Sequence, residues 1–246
     1  MISTTTLKMN CRKFFLVKSK KHIVVLSGAG ISAESGLKTF RDSDGLWNGY
    51  DVYAVASPQG WQKDPQLVLD FYNARRKDVA AALPNAAHQG LAELENDFEV
   101  TIITQNIDDL HERAGSANVL HLHGNIFKMR SIANEHIFFD IYEDIHLGDK
   151  AVDGYQLRPH IVWFGEAVPM MEKAIAILQD CDYFVVVGTS LQVYPAASLL
   201  NYAPPYLPKF IIDKKIPTTG KQNNLHVIEM TATAGVAELK RIIAAY

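Results

Sequence analysis

Cysteine is scarce in this chain of 246 residues, which has two, Cys11 and Cys181, far apart in sequence. Two cysteines exclude a disulfide framework. They also exclude any zinc site built from four cysteines, or from three cysteines and a histidine. A strong charge of either sign is missing too, because 24 Lys and Arg stand against 27 Asp and Glu, giving a net charge of −3. This balance argues against nucleic acid or an anionic membrane surface as a partner.

Long apolar runs are also missing, since no segment reaches the roughly 20 apolar residues that a membrane helix needs. The first 21 residues contain one short apolar run and no small-residue cleavage site, so a signal peptide is not expected. A hydrophobic content of 48% with 21% charged residues is typical of a globular chain with a sizeable core and excludes disorder over most of its length. We predict a soluble, cytoplasmic protein, and a monomer is compatible with the sequence.

Short runs rich in β-branched residues alternate with helical patterns along the chain. This alternation predicts an α/β fold with a Rossmann-like, doubly wound parallel sheet. Strands are predicted at 23–26, 100–104, 161–163, 183–187, 210–212 and 226–229. Helices are predicted at 65–82, 89–96 (opened by residues 85–88), 169–179 and 236–246.

Two stretches break this alternation. Residues 43–63 are rich in Gly, Trp and Tyr and lead into the predicted helix 65–82, while residues 127–158 are polar with weak periodicity. We predict that residues 1–42, 83–125 and 159–246 form the Rossmann-like domain. Two insertions, residues 43–82 and 126–158, are predicted to build a smaller domain against the sheet.

The strongest local motif is SGAGISAESG at residues 27–36, directly after the first predicted strand. Gly28, Gly30 and Ala33 match the G-x-G-x-x-G/A fingerprint, in which glycines let the backbone approach a pyrophosphate at a helix N-terminus. Taken alone, the match can equally be a plain β-to-α turn. The acidic residue usually found about 20 residues on is not evident.

Five further motifs follow in order: TFRD at 39–42, TQNIDDLH at 104–111, HLHGN at 121–125, RPHIVWFGE at 158–166 and GTSLQVYPAA at 188–197. Two of them follow predicted strands, so their side chains are expected at the carboxyl edge of the sheet, where open α/β sheets bind ligands. From about residue 20 to the C-terminus, the sequence resembles the sirtuin family of NAD-dependent protein-lysine deacylases. It looks closest to the bacterial class III type, whose relatives include enzymes that remove acidic acyl groups.

The resemblance implies that His123 is the general base and that Asn106 and Asp108 grip the nicotinamide ribose. Histidine suits the first role because it titrates near neutral pH, although a lone histidine is more often structural. Asn106 or Asp108 can equally cap a helix N-terminus. The resemblance also places NAD against Gly28, Ala29, Gly30, Ser32, Ala33, Phe40, Arg41, Trp47, Gln105, Ile107, Gly188, Thr189, Ser190, Asp213 and Ala232. It places the substrate peptide against Ile161, Val162, Phe164, Gly165 and Glu166. By contrast, His88, His111 and His121 are predicted to be packing or capping residues.

Tyr72 and Arg75 are i, i+3 neighbours on the predicted helix 65–82. In class III members a Tyr-x-x-Arg pair binds the carboxylate of succinyl- or malonyl-lysine, whereas the alternative is a packed Tyr beside a solvated Arg. The implied reaction is NAD-dependent removal of acetyl and/or succinyl or malonyl groups from lysine, releasing nicotinamide and O-acyl-ADP-ribose. Alternatives are an NAD-consuming ADP-ribosyltransferase or glycohydrolase, a non-catalytic NAD or ADP-ribose sensor, and a hydride-transferring oxidoreductase.

The sequence departs from the family in the smaller predicted domain. Most sirtuins carry four zinc-binding cysteines there, but residues 125–157 contain none, and Ser131 stands where the first is expected. We therefore predict no metal, and expect a small apolar core made of Ile132, Ile137, Phe138, Phe139, Ile141, Tyr142 and Ile145. A second departure is Asp213, where the family usually has Asn. Because Asp can still accept from ribose hydroxyls, cofactor binding need not be lost, and an altered affinity is the most that is expected.

Overall fold

A computed structural model describes residues 20–39, 46–47 and 49–245. Its strands are β1 (His22–Ser27), β2 (Leu46–Trp47), β3 (Tyr50–Asp51), β4 (Glu99–Thr104), β5 (Val119–His121), β6 (Gly124–Ser131), β7 (Phe138–Asp140), β8 (Leu157–Ile161), β9 (Tyr183–Val187), β10 (Lys209–Asp213) and β11 (Leu225–Glu229). Its α-helices are α1 (Val52–Val55), α2 (Pro58–Lys63), α3 (Pro65–Ala81), α4 (Ala86–Glu93), α5 (Leu110–Arg113), α6 (Met171–Gln179), α7 (Leu199–Tyr202) and α8 (Ala232–Ile243).

Six strands form a parallel sheet in the order β5-β4-β1-β9-β10-β11. This is the 3-2-1-4-5-6 order of the Rossmann fold, so the predicted doubly wound sheet is confirmed. The central strands β1, β4 and β9 are buried because helices cover both faces, which explains their near-continuous apolar sequences. The strand order reverses between β1 and β9, and this switch point positions the site.

A second lobe contains the three-stranded sheet β7-β6-β8 and the helices α1 to α3. Residues of both predicted insertions share one buried cluster there, with Val68 and Leu69 of α3 against Ile126, Phe127 and neighbouring residues. Asp64 caps α3 by accepting a hydrogen bond from the Leu67 N–H, and Pro65 occupies its first turn, so the sequence itself specifies where this helix begins.

Several predicted elements need correction. The segment 161–163 is not a strand of the parallel sheet, because Ile161 ends β8, which pairs antiparallel with β6. The sixth parallel strand is instead β5, three residues long. Residues 85–88 open helix α4 as predicted, with Asn85 as its N-cap, but its predicted last residues 94–96 form a 3-10 turn. Helix α6 begins at Met171 rather than residue 169, and α8 begins at Ala232, earlier than its pattern indicated.

The expected apolar core of the second lobe is also largely wrong. Of its seven predicted members, Ile132, Phe138, Phe139 and Tyr142 are exposed. Ile145 is buried, and Ile137 and Ile141 pack on the cluster as partly buried residues. Among the described residues, no helix is both long and apolar enough to cross a membrane.

Candidate functional site

A cleft opens at the carboxyl ends of β1, β4 and β9, between the parallel sheet and the second lobe. The space between its walls, which is open to solvent at the mouth, is about 1240 Å³. Predicted site residues that line it are Gly28, Ala29, Gly30, Ser32, Trp47, Tyr72, Arg75, Gln105, Asn106, Ile107, Asp108, His123, Ile161, Val162, Phe164, Gly165, Glu166, Gly188, Thr189 and Ser190. Five of the six motifs therefore converge in space, and Thr39, the one described residue of the TFRD motif, lines the same cleft.

Two glycine loops meet at the switch point. The Gly30 N–H donates to the Gly188 carbonyl oxygen at 2.8 Å, and a Cβ on Gly30 would lie 2.7 Å from that oxygen. Gly188 has φ +63, and a Cβ there would lie 2.3 Å from the Ile31 nitrogen. The loop continues as two short 3-10 turns, Ala29–Ile31 and Ala33–Ser35, and not as the α-helix that the fingerprint predicted.

The loop after β4 is held across the switch point by its own side chains. Gln105 Nε2 donates to Thr189 Oγ1 at 3.1 Å. Asn106 Nδ2 donates to the Gly28 carbonyl at 3.2 Å and to Ser32 Oγ at 3.1 Å. These bonds fix both amides where they can meet a ribose or phosphate in the cleft.

Asp108 is buried at the floor of this loop. Its Oδ2 accepts from Ser32 Oγ at 3.1 Å, and its Oδ1 accepts from the Leu110 N–H at 3.2 Å. Asp109 is the N-cap residue of α5 but makes no cap bond with its side chain, whereas Asp108 accepts from the N–H of Leu110, the first residue of that helix. The predicted capping contact is therefore present alongside the position of Asp108 at the cleft. Burial raises the pKa of Asp108 above its ordinary value, and these hydrogen bonds and the nearby His121 and Arg75 charges oppose this only in part.

His123 presents a neutral imidazole to the cleft. Its Nδ1 lies 3.0 Å from the Gln105 carbonyl oxygen, which can only accept, so Nδ1 carries the hydrogen and Nε2 carries the lone pair. Burial lowers the pKa of His123, and the hydrogen bond to Gln105 opposes this only in part. A neutral histidine in a cleft, with an Nε2 that bonds no described residue, has the properties of a general base.

Tyr72 and Arg75 share one face of α3 and line the end of the cleft beside Trp47. Both are buried, so the alternative of a solvated Arg is wrong. The Arg75 guanidinium lies 5.7 Å from the centre of the Trp47 ring, and its Nη2 donates to the Lys38 carbonyl at 3.1 Å. Trp47, predicted on the cofactor side, thus packs against the Tyr72–Arg75 pair.

The segment after β8 forms the opposite wall. The Val162 N–H donates to the His123 carbonyl and the Phe164 N–H to the Ala56 carbonyl, both at 2.9 Å. Glu166, predicted to contact substrate, is already engaged: it accepts from Arg158 at 2.6 Å and from the Trp163 N–H at 2.8 Å. Its carboxylate therefore shapes this wall through internal bonds.

Not every predicted site residue reaches the cleft. Ala33, Asp213 and Ala232 are not among the residues that line it. Ala33 begins the second 3-10 turn, Asp213 ends β10 and accepts from the Lys215 N–H, and Ala232 begins α8. Phe40 and Arg41 lie outside the described residues.

Eight further residues line the cleft without a role predicted from the sequence: Leu37, Lys38, Thr39, Ala56, Trp163, Val168, Val193 and Tyr194. The signal that could have found Trp163, Val193 and Tyr194 is their position inside the RPHIVWFGE and GTSLQVYPAA motifs.

Ser131, at the position where the family has its first zinc-binding cysteine, makes a hydrogen bond to a carboxylate instead. Ser131 is buried, and its hydroxyl donates to Asp153 Oδ2 at 2.6 Å while accepting from the Ala133 and Asn134 N–H groups. Among the described residues, no group of three or more His, Cys, Asp or Glu side chains is arranged to hold a metal ion. The residues present do not fit a zinc ribbon, and the predicted lack of zinc stays a prediction.

A Rossmann-ordered sheet, glycine loops at its switch point and a neutral histidine in the cleft define a nucleotide-binding α/β enzyme. The Sir2 family model matches residues 28–195, and the chain belongs to this family.

Relatives and solved structures agree with this assignment. The chain is 52% identical over 230 residues to an NAD-dependent protein deacylase of Bacteroides thetaiotaomicron, covering 91% of this chain and 98% of the relative. A Sir2 homologue–NAD complex matches with TM-score 0.80 and 37% identity over 92% of this chain and 90% of the other. A mutant Sir2 homologue bound to ADP-ribose matches with TM-score 0.81 and 36% identity, over 92% and 95%.

Proposed function

We propose that this protein removes acidic acyl groups, such as succinyl and malonyl, as well as acetyl, from lysine side chains of other proteins. The chain is an NAD-dependent protein deacylase of the Sir2 family. The observation that supports the acidic preference is a buried Arg75 at the end of the cleft with no described carboxylate within ion-pair distance.

Arg75 and Tyr72 are both short of hydrogen-bond partners. Arg75 Nε is buried without a partner among the described residues, and the Tyr72 hydroxyl, which lies near the Trp163 ring N–H, has no described acceptor for its own hydrogen. A buried guanidinium is costly unless it is paired, and burial lowers the pKa of Arg75 while nearby Asp108 and Asp78 raise it. A ligand carboxylate would supply the missing acceptor, with Arg75 as a fork and Tyr72 as a hydroxyl donor. Acetyl-lysine lacks this group and gains nothing from the pair.

The cleft fits NAD, because its two glycine loops leave no room for a Cβ and its amide and hydroxyl donors are already held in place. When bound, NAD supplies an anomeric carbon that is activated by a nicotinamide leaving group. Gln105 and Asn106 orient ribose hydroxyls, and the buried Asp108 carboxylate stabilises positive charge that develops nearby. His123 Nε2 takes a proton from a ribose hydroxyl.

The decisive experiment compares NAD-dependent deacylation of one peptide carrying acetyl-, succinyl- or malonyl-lysine, followed by mass. We expect Arg75→Met and Tyr72→Phe to lower kcat/KM for the two acidic peptides about tenfold or more, with the acetyl peptide changed less than about threefold. Lys77→Met, exposed on the same helix, is the matched control, and His123→Ala abolishes all three reactions.

Two results would decide against parts of this proposal. Equal losses on acetyl and acidic peptides would remove the acidic preference. Cofactor loss without any change in peptide mass would instead favour the glycohydrolase. We also propose a cytoplasmic monomer without membrane or nucleic-acid partners, to be tested by cell fractionation and light scattering.

A further inference from the structure

His121, at the end of β5, contacts two acceptors at once. Its Nδ1 lies 3.1 Å from the Asn106 carbonyl oxygen, and its Nε2 lies 2.7 Å from Glu112 Oε1 on α5. The Asn106 carbonyl belongs to the loop whose side chains line the cleft. The histidine therefore ties that loop to α5.

The protonation state follows from these contacts. A neutral imidazole has one N–H and one lone pair, so either neutral tautomer would face an oxygen lone pair at one of these two short distances. A doubly protonated ring donates to both oxygens, and the bond to Glu112 becomes charge-assisted.

The charged groups around His121 favour the same state. Burial alone lowers the pKa of His121, but the hydrogen bond and charge of Glu112, the Asn106 carbonyl and the Asp108 carboxylate outweigh burial and raise it. The pKa of Glu112 is correspondingly lowered by His121 despite burial. The other titratable neighbours are Asp109 and His111. Burial raises the pKa of the Asp109 carboxyl and the charge of His121 opposes this rise, while burial holds the pKa of His111 well below its ordinary value.

His123, two residues further on, has the opposite state. His123 also contacts a carbonyl of the loop after β4, that of Gln105, but no described carboxylate pairs with His123. Burial lowers its pKa. One chain segment thus presents a charged histidine and a neutral histidine to successive carbonyls of the same loop.

We infer that His121 is a positioning residue: an imidazolium, anchored by Glu112, that holds the Asn106 carbonyl and supplies positive charge that keeps the buried Asp108 ionised. The chain's reaction needs both effects, because Asn106 must orient ribose and Asp108 must carry negative charge. From the sequence, His121 was predicted to be only a packing or capping residue, whereas its two hydrogen bonds support the proposed positioning role. Its kinetic consequence rests on the proposed deacylase function.

The test combines NMR with pH profiles of the full-length enzyme. In the wild type we expect the ¹⁵N shifts of His121 to show both ring nitrogens protonated at about pH 7.5, above the ordinary histidine pKa near 6.5. Glu112→Gln keeps an acceptor but removes the charge, so the proton should leave His121 at lower pH. The alkaline limb of kcat/KM for NAD should then move down by about one pH unit, with activity at about pH 6 within about twofold of wild type.

His121→Gln should lower kcat/KM about tenfold across the pH range. The exposed Glu172→Gln on α6 is the matched control and should follow the wild type. A neutral His121 in the wild-type spectrum would overturn the inference, and so would a Glu112→Gln profile that matches wild type or falls equally at every pH. A wild type that deacylates no peptide but shows the imidazolium would instead count against the proposed function.

Discussion

Replacing Arg76 by methionine tests what fastens helix α3 to the rest of the second lobe. The Arg76 side chain is 1% exposed. Its Nε donates to the Ile126 carbonyl at 2.9 Å, and its Nη1 donates to Asn73 Oδ1 at 2.9 Å and to the Glu143 carbonyl at 3.0 Å. Asn73 in turn bonds both the N–H and the carbonyl of Ile145. One buried guanidinium therefore joins the helix to two separate parts of the lobe.

Methionine fills much of the same volume but leaves the Ile126 and Glu143 carbonyls without this donor. Each orphaned buried acceptor costs about 1–3 kcal/mol, and relief of the buried charge offsets part of the loss. We expect the free energy of unfolding to fall by about 2–4 kcal/mol, measured by urea denaturation from midpoint and slope. Arg76→Lys should lose most of the same energy, because an ammonium cannot reach acceptors as a planar fork does.

Lys77→Met is the control, since Lys77 is 69% exposed and its ion pair with Asp144 is worth less than about 1 kcal/mol. If Arg76→Met were no less stable than Lys77→Met, the bonds of Arg76 would not be what fastens the lobe.

Two further predictions concern the glycine loops and the metal. Gly188→Ala should abolish NAD binding in calorimetry, because its Cβ would clash with Ile31. Gly148→Ala is the control, because Gly148 also has positive φ but a Cβ there would have no atom within 4 Å. Both variants share a backbone strain of about 1–2 kcal/mol, so Gly148→Ala should keep NAD affinity within about threefold. Equal NAD affinities of the two variants would contradict the predicted clash at Gly188. Metal analysis should find less than about 0.1 zinc per chain. A chelator should leave Tm unchanged, because only a protein with structural zinc loses folding energy when the metal is removed. Stoichiometric zinc, or unfolding by the chelator, would show that a metal site exists.

Much of the parallel sheet could be predicted from sequence because its strands are buried on both faces and read as continuous apolar runs. Strand β5 was not predicted because it has only three residues and follows a polar turn. The segment 161–163 looked similar to a buried strand, but Ile161 and Trp163 owe their burial to the second lobe. Apolar character alone does not say which core a residue enters.

Residues of the site were predictable where they lie inside motifs at strand ends, as His123, Asn106 and Gly188 do. The proposed positioning role of His121 was not predictable, because its partner Glu112 is nine residues away on another element. The fastening of the second lobe was equally hidden, since Arg76 and Asn73 bond backbone atoms that carry no sequence signal. The apolar residues that the sequence did suggest for that lobe are largely exposed.

The second lobe draws on two stretches of chain, α1–α3 and β6–β8, and between them the chain returns to the parallel sheet as α4, β4 and β5. The lobe therefore cannot be expressed as one continuous fragment with its core complete. Its contacts join residues distant in sequence, and such contacts slow folding. During synthesis on the ribosome, helix α3 emerges well before the strands that cover its apolar face. A chaperone that protects α3 during that interval would raise the yield of folded enzyme without affecting its final stability.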